Sequence, residues 1–264
     1  MTNTVSYKGS LINYFRFANG DKILFCFHGY GENAETFLFL EKYLEKKYTL
    51  IAIDFPLHGK TVWGNDEIFL PDDLINIIEL INPEPEKKFS VLAYSMGGRI
   101  ALHLLQTIPE SIENIGLVAP DGLHLNFWYW LGTQTKTGNR LFKITTKNPA
   151  WIFWLMNMID KTGLLNKSLV NFSRKFLEDK QERIMLYKRW TMMKKFKPTH
   201  AGIKKSMKQW PGKLSILFGK HDRVILSKRS RFLSVEKNVE IKIIDAGHNL
   251  LKERYADEIM RLLS

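Results

Sequence analysis

The chain of 264 residues has a single cysteine, Cys26, so an internal disulfide bond is excluded. It also lacks a phosphate-binding GxxxxGKS/T loop, a GxGxxG motif and any set of cysteines and histidines at zinc-binding spacing. Internal repeats are missing as well. Nothing in the sequence calls for a metal ion or an organic cofactor, and we expect the protein to need neither.

Long apolar runs are also missing. The mostly apolar segment 150–159 has only ten residues, whereas a helix that spans a bilayer needs about 20. Residues 1–10 have no apolar stretch of the kind found in secretory signal peptides. We therefore expect no transmembrane helix and a cytoplasmic location.

Acidic residues are scarce in the middle of the chain. Residues 122–210 contain 18 Lys and Arg but only 4 Asp and Glu, a net charge of +14. The remainder has 21 basic and 23 acidic residues, a net charge of −2. The basic segment also holds six of the seven tryptophans: Trp128, Trp130, Trp151, Trp154, Trp190 and Trp210. Within it, residues 126–130 and 150–156 predict helices with bulky apolar faces.

Two interpretations of this segment stay open. In the first, large aromatic side chains pack a helical insertion against the main domain while its charges face water. In the second, aromatic residues line an acyl-binding pocket beneath a basic rim that meets an anionic partner, which would be acyl-CoA, a phosphopantetheine carrier protein or a membrane surface. Charge alone would also suit nucleic acid. No nucleic-acid-binding fold or base-reading motif accompanies it, so we expect none to bind.

One short motif carries the clearest chemistry. Residues 91–98 (VLAYSMGG) predict a strand that ends in a turn around Ser95 and opens into a helix. The small residues Ala93 and Gly97 let the strand and the helix approach closely, so that a strained serine can hold its hydroxyl clear of the sheet. Ala93 takes the place of the glycine that is usual in such a turn. The pattern is that of a nucleophile elbow.

Further strand-and-turn segments accompany this motif in a definite order along the chain. They are residues 22–33 (KILFCFHGYGEN), 50–60 (LIAIDFPLHGK), 215–222 (SILFGKHD) and 239–248 (VEIKIIDAGH). With the serine, an aspartate and a histidine in this order, the sequence resembles the α/β-hydrolase superfamily, in particular its lidded, serine esterase- and lipase-like members. The resemblance covers residues 4–121 and 211–264.

The resemblance and the chemistry of serine agree on the candidate catalytic residues. A serine hydroxyl is a poor nucleophile at neutral pH and needs a base, which in turn needs a group that fixes its tautomer. His248, in the loop after the last strand, is the best base for Ser95, and Asp222 would orient it. Asp121 ends an earlier strand, where some relatives carry the acid, and is the alternative. Asp245 is expected to hold its own loop.

The resemblance also nominates an oxyanion hole. Such a site needs two donors aimed at the place where negative charge develops, and backbone N–H groups serve because they are already oriented. The N–H groups of Tyr30 and Met96 are the candidates, and Met96 opens the helix after Ser95. A serine at the elbow, rather than an aspartate, argues against haloalkane dehalogenase or epoxide hydrolase chemistry.

Together these features predict an α/β fold, with a mostly parallel, doubly wound sheet. Residues 1–121 and 211–264 would form the α/β-hydrolase core, and residues 122–210 a helical lid inserted after the strand that ends near Ala119. Helices are expected over 34–46, 71–80 and 250–263.

The expected function is a serine hydrolase that cleaves a carboxylic ester or thioester through an acyl-enzyme on Ser95. The alternatives are an acyltransferase or a C–C bond hydrolase with the same triad, or a non-catalytic member of the fold that binds an acyl or anionic ligand. Substrate identity and oligomeric state are outside what the sequence predicts.

Overall fold

The computed structural model describes residues 2–44, 47–64, 67–160 and 177–263. Its strands are β1 (Thr2–Tyr7), β2 (Ser10–Phe17), β3 (Lys22–Phe27), β4 (Tyr48–Ile53), β5 (Phe89–Tyr94), β6 (Ile112–Val118), β7 (Leu214–Gly219) and β8 (Val239–Ile244). Its α-helices are α1 (Pro71–Ile81), α2 (Met96–Thr107), α3 (Phe127–Gln134), α4 (Lys136–Lys147), α5 (Ala150–Asp160), α6 (Lys180–Met192), α7 (His200–Gln209) and α8 (Ala256–Arg261).

The strands form one sheet in the order β1-β2-β4-β3-β5-β6-β7-β8. β2 pairs antiparallel with both of its neighbours, and every pair from β4 to β8 is parallel. Every residue of β4, β5 and β7 is buried, as expected for strands covered by helices on both faces. The predicted mostly parallel, doubly wound sheet of the α/β-hydrolase fold is confirmed.

One of the three predicted α-helices is present as predicted, and the other two differ from the prediction. The helix expected over 71–80 is present as α1. The helix expected over 34–46 is instead the 3₁₀ helix Ala34–Tyr43, and residues 45–46 lie outside the described ranges. Its buried side chains Ala34, Phe37 and Leu40 recur every three residues, which is the 3₁₀ period. Leu38, in the same helix, is 38% exposed.

The helix expected over 250–263 is shorter than predicted. The chain forms the 3₁₀ helix Glu253–Tyr255 and then α8. Leu250 and Leu251 are buried before the helical region begins, because they pack in the hydrophobic core around β3 and β4. Their apolar character therefore came from a buried loop and not from a helix face.

The chain divides into two compact units. The larger comprises residues 1–124 and 195–264, and the smaller residues 125–194. Residues 195–210, which we had placed in the lid segment, thus belong to the larger unit, where α7 contacts α2. That the inserted segment acts as a lid stays a prediction.

In the smaller unit, α3 and α4 pack on α6. The Tyr129 hydroxyl donates a hydrogen bond to the Met193 carbonyl, and the Phe142 ring lies edge-on to the rings of Tyr187 and Trp190. Across the described ranges of the chain, no helix is both long enough and apolar enough to cross a bilayer.

A buried carboxylate organises the turns beside the parallel strands of the larger unit. Asp54, directly after β4, accepts hydrogen bonds from the backbone N–H of Ala34 at 2.6 Å, from that of Lys60 at 2.8 Å and from the Asn13 side chain at 2.7 Å. His28, directly after β3, accepts from the Phe55 N–H at 3.1 Å. These bonds hold the loop after β3 against the turn after β4.

Candidate active site

The turn around Ser95 has the strained backbone that the sequence predicts. Ser95 joins β5 to α2 with φ of +48° and ψ of −112°, a conformation rare for a residue with a side chain. Such strain costs on the order of 1–3 kcal/mol, and the surrounding structure must hold it. Hydrogen bonds do so here, because the Ser95 N–H donates to the Val118 carbonyl and the Ser95 carbonyl accepts from Asp121 and Gly98.

Two glycines allow this turn to form. A Cβ atom on Gly97 would lie 2.1 Å from the carbonyl oxygen of Phe27, at the end of the neighbouring strand β3. A Cβ on Gly98 would lie 2.5 Å from the Cβ of Pro120. Both obstacles belong to the rigid core, so α2 can start this close to the sheet only without side chains at these positions. Ala93, in contrast, is fully buried and accommodated.

The structure brings Ser95, His248 and Asp222 into one hydrogen-bonded chain. Ser95 Oγ lies 3.2 Å from His248 Nε2, and His248 Nδ1 lies 2.7 Å from Asp222 Oδ2. A carboxylate only accepts hydrogen bonds, so Nδ1 carries the proton, and Nε2 of the neutral ring accepts from the Ser95 hydroxyl. The arrangement can move a proton from the serine to the imidazole and stabilise the resulting imidazolium.

Asp222 is held firmly in this position. Its side chain is fully buried, and its other oxygen, Oδ1, accepts hydrogen bonds from the backbone N–H groups of Val224 and Ile225, each at 2.8 Å. A buried carboxylate is tolerated only when its oxygens are satisfied in this way. The loop after β7 thus aims one oxygen at His248 and anchors the other.

The other two candidate acids have different partners. Asp121 Oδ1 accepts from the N–H of Gly122, and Asp121 Oδ2 lies 3.6 Å from the buried guanidinium of Arg99. Asp245 Oδ1 lies 2.6 Å from His221 Nε2 in an exposed pair. The acid that meets His248 is Asp222.

The two oxyanion-hole candidates lie at the carboxyl ends of β3 and β5. Because β3 and β5 are parallel neighbours, the residues that follow them emerge at the same edge of the sheet. Met96 is the first residue of α2, so its N–H has no acceptor within the helix and the positive end of the helix dipole lies there. Tyr30 follows β3 by three residues and places its ring edge-on to His58.

Sequence reasoning missed two residues beside His248. The Tyr94 ring packs against the His248 ring, and burial raises the pKa of its phenol, with further contributions from the charges of Glu32 and Asp222. Glu32 has an oxygen, Oε2, that is buried without a hydrogen-bond partner in the described part of the chain. Burial raises the pKa of Glu32, while a hydrogen bond from Gly29 and the charge of His248 oppose that rise.

Some signal for these residues exists in the sequence. Tyr94 immediately precedes the nucleophile candidate, so it had to lie near it. The sequence indicates only that Gly29 lies in a loop. In the structure, Tyr94 and Glu32 pack closely against this glycine, because a Cβ there would lie 2.9 Å from the Tyr94 ring and 3.1 Å from Glu32 Oε2. No pattern indicated that Glu32 folds inward, because a single glutamate in a turn is usually exposed.

Nothing in this arrangement forms a metal site. In the described ranges, no group of three or more His, Cys, Asp or Glu side chains is placed to hold a metal ion. The buried Cys26 lies in β3, and burial raises the pKa of its thiol well above the usual value, which disfavours a reactive thiolate.

Comparison with known proteins agrees with this architecture. The family model described as alpha/beta hydrolase fold matches residues 22–255, and the chain belongs to that family. A hydrolase from Pseudomonas aeruginosa PA01 superimposes with a TM-score of 0.67 at 12% sequence identity, covering 100% of this chain and 98% of that one. At such low identity this likeness concerns the fold.

Two of the curated relatives with functional names show how far the match extends. The chain is 32% identical over 95 residues to a serine hydrolase-like protein of Danio rerio, which is 35% of this chain and 29% of that protein. It is 29% identical over 147 residues to a protein of Mycoplasma pneumoniae provisionally named esterase/lipase 2, which is 55% of this chain and 51% of the relative. The matches therefore span about half or less of these relatives' lengths.

Proposed function

We propose that the protein is a serine hydrolase that cleaves a carboxylic ester or thioester through an acyl-enzyme on Ser95. The observation that carries the proposal is the chain of hydrogen bonds from Ser95 Oγ through His248 to the buried Asp222. The names of the curated relatives, serine hydrolase-like and esterase/lipase, support the same class.

In the first half of the reaction, Ser95 Oγ attacks the carbonyl carbon of the substrate while His248 Nε2 takes the hydroxyl proton. The carbonyl oxygen becomes an oxyanion, for which the N–H groups of Tyr30 and Met96 are the proposed donors. When the tetrahedral intermediate collapses, the bond to the leaving alcohol or thiol breaks and His248 returns the proton to it. Ser95 then carries the acyl group as an ester.

In the second half, water takes the place of the leaving group. His248 removes a proton from the water, the resulting hydroxide attacks the acyl carbon, and the second intermediate collapses to release a carboxylic acid and regenerate the Ser95 hydroxyl. Throughout, the buried carboxylate of Asp222 keeps the Nδ1 proton of His248 in place. The net reaction consumes one water and needs no cofactor.

Covalent labelling by a fluorophosphonate tests the nucleophile directly. We expect one label on Ser95 in the unaltered protein and none in Ser95→Ala, with ester turnover in that variant lower by roughly 10⁴–10⁶. Ser90→Ala is a matched control, because Ser90 lies on the same strand and is buried. Labelling or turnover that survives in Ser95→Ala would contradict the proposal.

A substrate screen then defines the class. p-Nitrophenyl esters from acetate to dodecanoate are compared with acyl-CoA thioesters of matching length. Faster product formation when an alcohol acceptor replaces water would indicate an acyltransferase. Labelling of Ser95 without turnover of any ester or thioester would favour the C–C bond hydrolase. Absence of both labelling and turnover would favour the non-catalytic binding member of the fold.

A further inference from the structure

An unusual group of exposed aromatic side chains lies at the start of α3. Phe127, Trp128 and Trp130 are 60%, 56% and 40% exposed, yet their rings contact one another, with centroids 5.4 Å apart for Phe127 and Trp128 and 6.0 Å apart for Phe127 and Trp130. Tyr129, between them, turns inward to hydrogen-bond within the smaller unit. The three rings therefore form one continuous apolar patch in contact with solvent, which soluble surfaces seldom carry without a partner.

The next helix, α4, places basic residues beside apolar ones. Lys136, Arg140, Lys143 and Lys147 follow one another at spacings of four, three and four residues, so they lie along one side of the helix. All four are exposed, and so are the neighbouring Leu141 and Ile144.

The opposite side of α4 is occupied by protein. Gly138 and Thr145 are buried, and Phe142 packs on α6. The basic and apolar residues of α4 therefore face away from the packed side of the helix. The exposed side chains of α3 and α4 together are called the aromatic-basic surface below.

The two helices that form this surface contain no acidic residue. From Gly122 to Ile159 the chain contains no Asp or Glu, and the smaller unit as a whole has 13 basic and 4 acidic residues, a net charge of +9. Within the described part of the chain, none of the four basic residues of α4 forms a salt bridge. Their charges are available to an external partner.

We propose that the aromatic-basic surface binds the surface of an anionic lipid bilayer. Interfacial helices combine Trp, Phe and Leu, which enter the boundary between headgroups and acyl chains, with Lys and Arg, which meet anionic headgroups. Lysine and arginine stems also cover apolar surface while their charged ends reach the headgroups. The composition and exposure of α3 and α4 match both requirements.

Other occupants fit less well. A second copy of the chain would bring two units of charge +9 together, which repel each other. Single-stranded nucleic acid would stack on the aromatic rings, but it offers nothing to the exposed aliphatic residues Leu141 and Ile144. Coenzyme A or an acidic carrier protein would meet the charges and leave the Phe127, Trp128 and Trp130 cluster in water. A bilayer satisfies both halves of the surface.

Vesicle flotation with the 264-residue chain tests the proposal. The probes are vesicles of phosphatidylcholine alone and vesicles that contain about 30% phosphatidylglycerol, an anionic lipid. Each is measured at low and at high salt. We expect binding to the anionic vesicles at low salt and weaker binding at high salt, where charges are screened. Ser95→Ala should bind as the unaltered protein does, because the inference does not depend on the proposed activity.

Paired variants separate charge from insertion. Lys143→Glu with Lys147→Glu should weaken binding at least about 30-fold, since each lysine near an anionic surface contributes roughly a factor of five. Lys237→Glu with Lys252→Glu changes the net charge equally at exposed positions of the larger unit and should have a much smaller effect.

Phe127→Ser with Trp128→Ser should weaken binding at least about tenfold. Val235→Ser with Leu80→Ser, exposed apolar residues of the larger unit, is its control.

Three results would overturn the proposal. The first is no binding to anionic vesicles at low salt. The second is equal losses in the test and control variants. The third is a combination of two observations. Binding is weakened by the Lys143 and Lys147 variants but not by the Phe127 and Trp128 variants, and coenzyme A or a single-stranded oligonucleotide binds as tightly as the vesicles. The surface would then bind a soluble anion. Circular dichroism and the Tm of each variant verify that the fold is intact.

Discussion

The Tyr94 ring lies against the ring of His248, with centroids 5.7 Å apart and planes inclined by 33°, and its hydroxyl donates a 3.4 Å hydrogen bond to the His248 carbonyl. Tyr94 immediately precedes Ser95 on β5, so a single strand end supplies both the candidate nucleophile and the surface that supports its base. The loop after β8 is thereby fixed to the strand that carries Ser95.

The first prediction follows from this contact. Tyr94→Phe keeps the ring and loses one long hydrogen bond, so kcat/KM for an ester should fall by about tenfold at most. Tyr94→Ala removes the supporting surface, and we expect a drop in stability of about 3–5 kcal/mol and a much larger loss of kcat. Steady-state kinetics and denaturant unfolding of both variants provide the measurement. Equal losses in the two variants would show that the hydroxyl, and not the ring, supports His248.

A second prediction concerns the acid. Asp222→Asn should lower kcat on the order of 10⁴-fold, because an amide beside Nδ1 favours the wrong tautomer of His248. Asp121→Asn is the matched control, since its carboxylate contacts Gly122 and Arg99. Its kcat should stay near that of the unaltered enzyme. A large loss in Asp121→Asn with activity retained in Asp222→Asn would move the orienting role to Asp121.

The third prediction concerns the close contact of α2 with β3. Gly97→Ala would place a Cβ 2.1 Å from the Phe27 carbonyl oxygen, and relieving that overlap should destabilise the protein by about 1–3 kcal/mol or more. Gly247→Ala is the control, because a Cβ there has no atom within 4 Å. Thermal unfolding should show a lower Tm only for Gly97→Ala. Unchanged Tm values in both would mean that α2 can shift away from the sheet without cost.

The fourth prediction is a pH dependence of stability. Burial raises the pKa of Glu32 in the folded protein above its unfolded value of about 4.3. At pH values below the unfolded pKa, the carboxyl group is protonated in both states, so no penalty arises from burying its charge. As pH rises through the interval between the unfolded and folded pKa, the unfolded state ionises first, so the folded state loses stability, and the full penalty remains above the folded pKa.

Glu32→Gln keeps the acceptor oxygen and removes the ionisation. The Tm of this variant should therefore exceed that of the unaltered protein at about pH 7–8, well above the ordinary glutamate pKa of about 4.3. At about pH 4 the two Tm values should approach each other. Glu86→Gln, at an exposed position, removes the same charge and serves as the control. A Tm difference for Glu32→Gln that does not change with pH, or one that Glu86→Gln reproduces, would contradict the prediction.

Local sequence patterns were sufficient for much of the fold. Strands with several consecutive apolar residues, such as β3 and β5, can be read directly because a strand covered on both faces needs no alternation. The turn at Ser95 was equally readable, since few residue combinations tolerate its backbone. The resemblance to the α/β-hydrolase superfamily and the need of a serine nucleophile for a base and an orienting acid led us to expect Ser95, Asp222 and His248 together. Their nearness agrees with the geometry of parallel strands, whose carboxyl ends lie at one edge of the sheet.

Patterns failed where burial came from distant parts of the chain. The three-residue spacing of Phe37 and Leu40 is compatible with both an α-helix and a 3₁₀ helix. The structure shows that the buried residues of this helix recur every three positions, which is the 3₁₀ period. Leu250 and Leu251 are apolar because a loop is buried, which no helical period can reveal. Residues 195–210 share the basic composition of the insertion and still pack with the larger unit.

The sequence by itself determined the fold class and the position of the strained turn at Ser95. The turn depends on local backbone preference, and each buried strand depends on its own apolar run. The tertiary structure alone decided that Asp222, and not Asp121, contacts His248, and that Tyr94 and Glu32 lie beside them. The contact between Tyr94 and His248 alone joins residues 154 positions apart. The packing of the whole sheet sets such distances, and no local pattern encodes them.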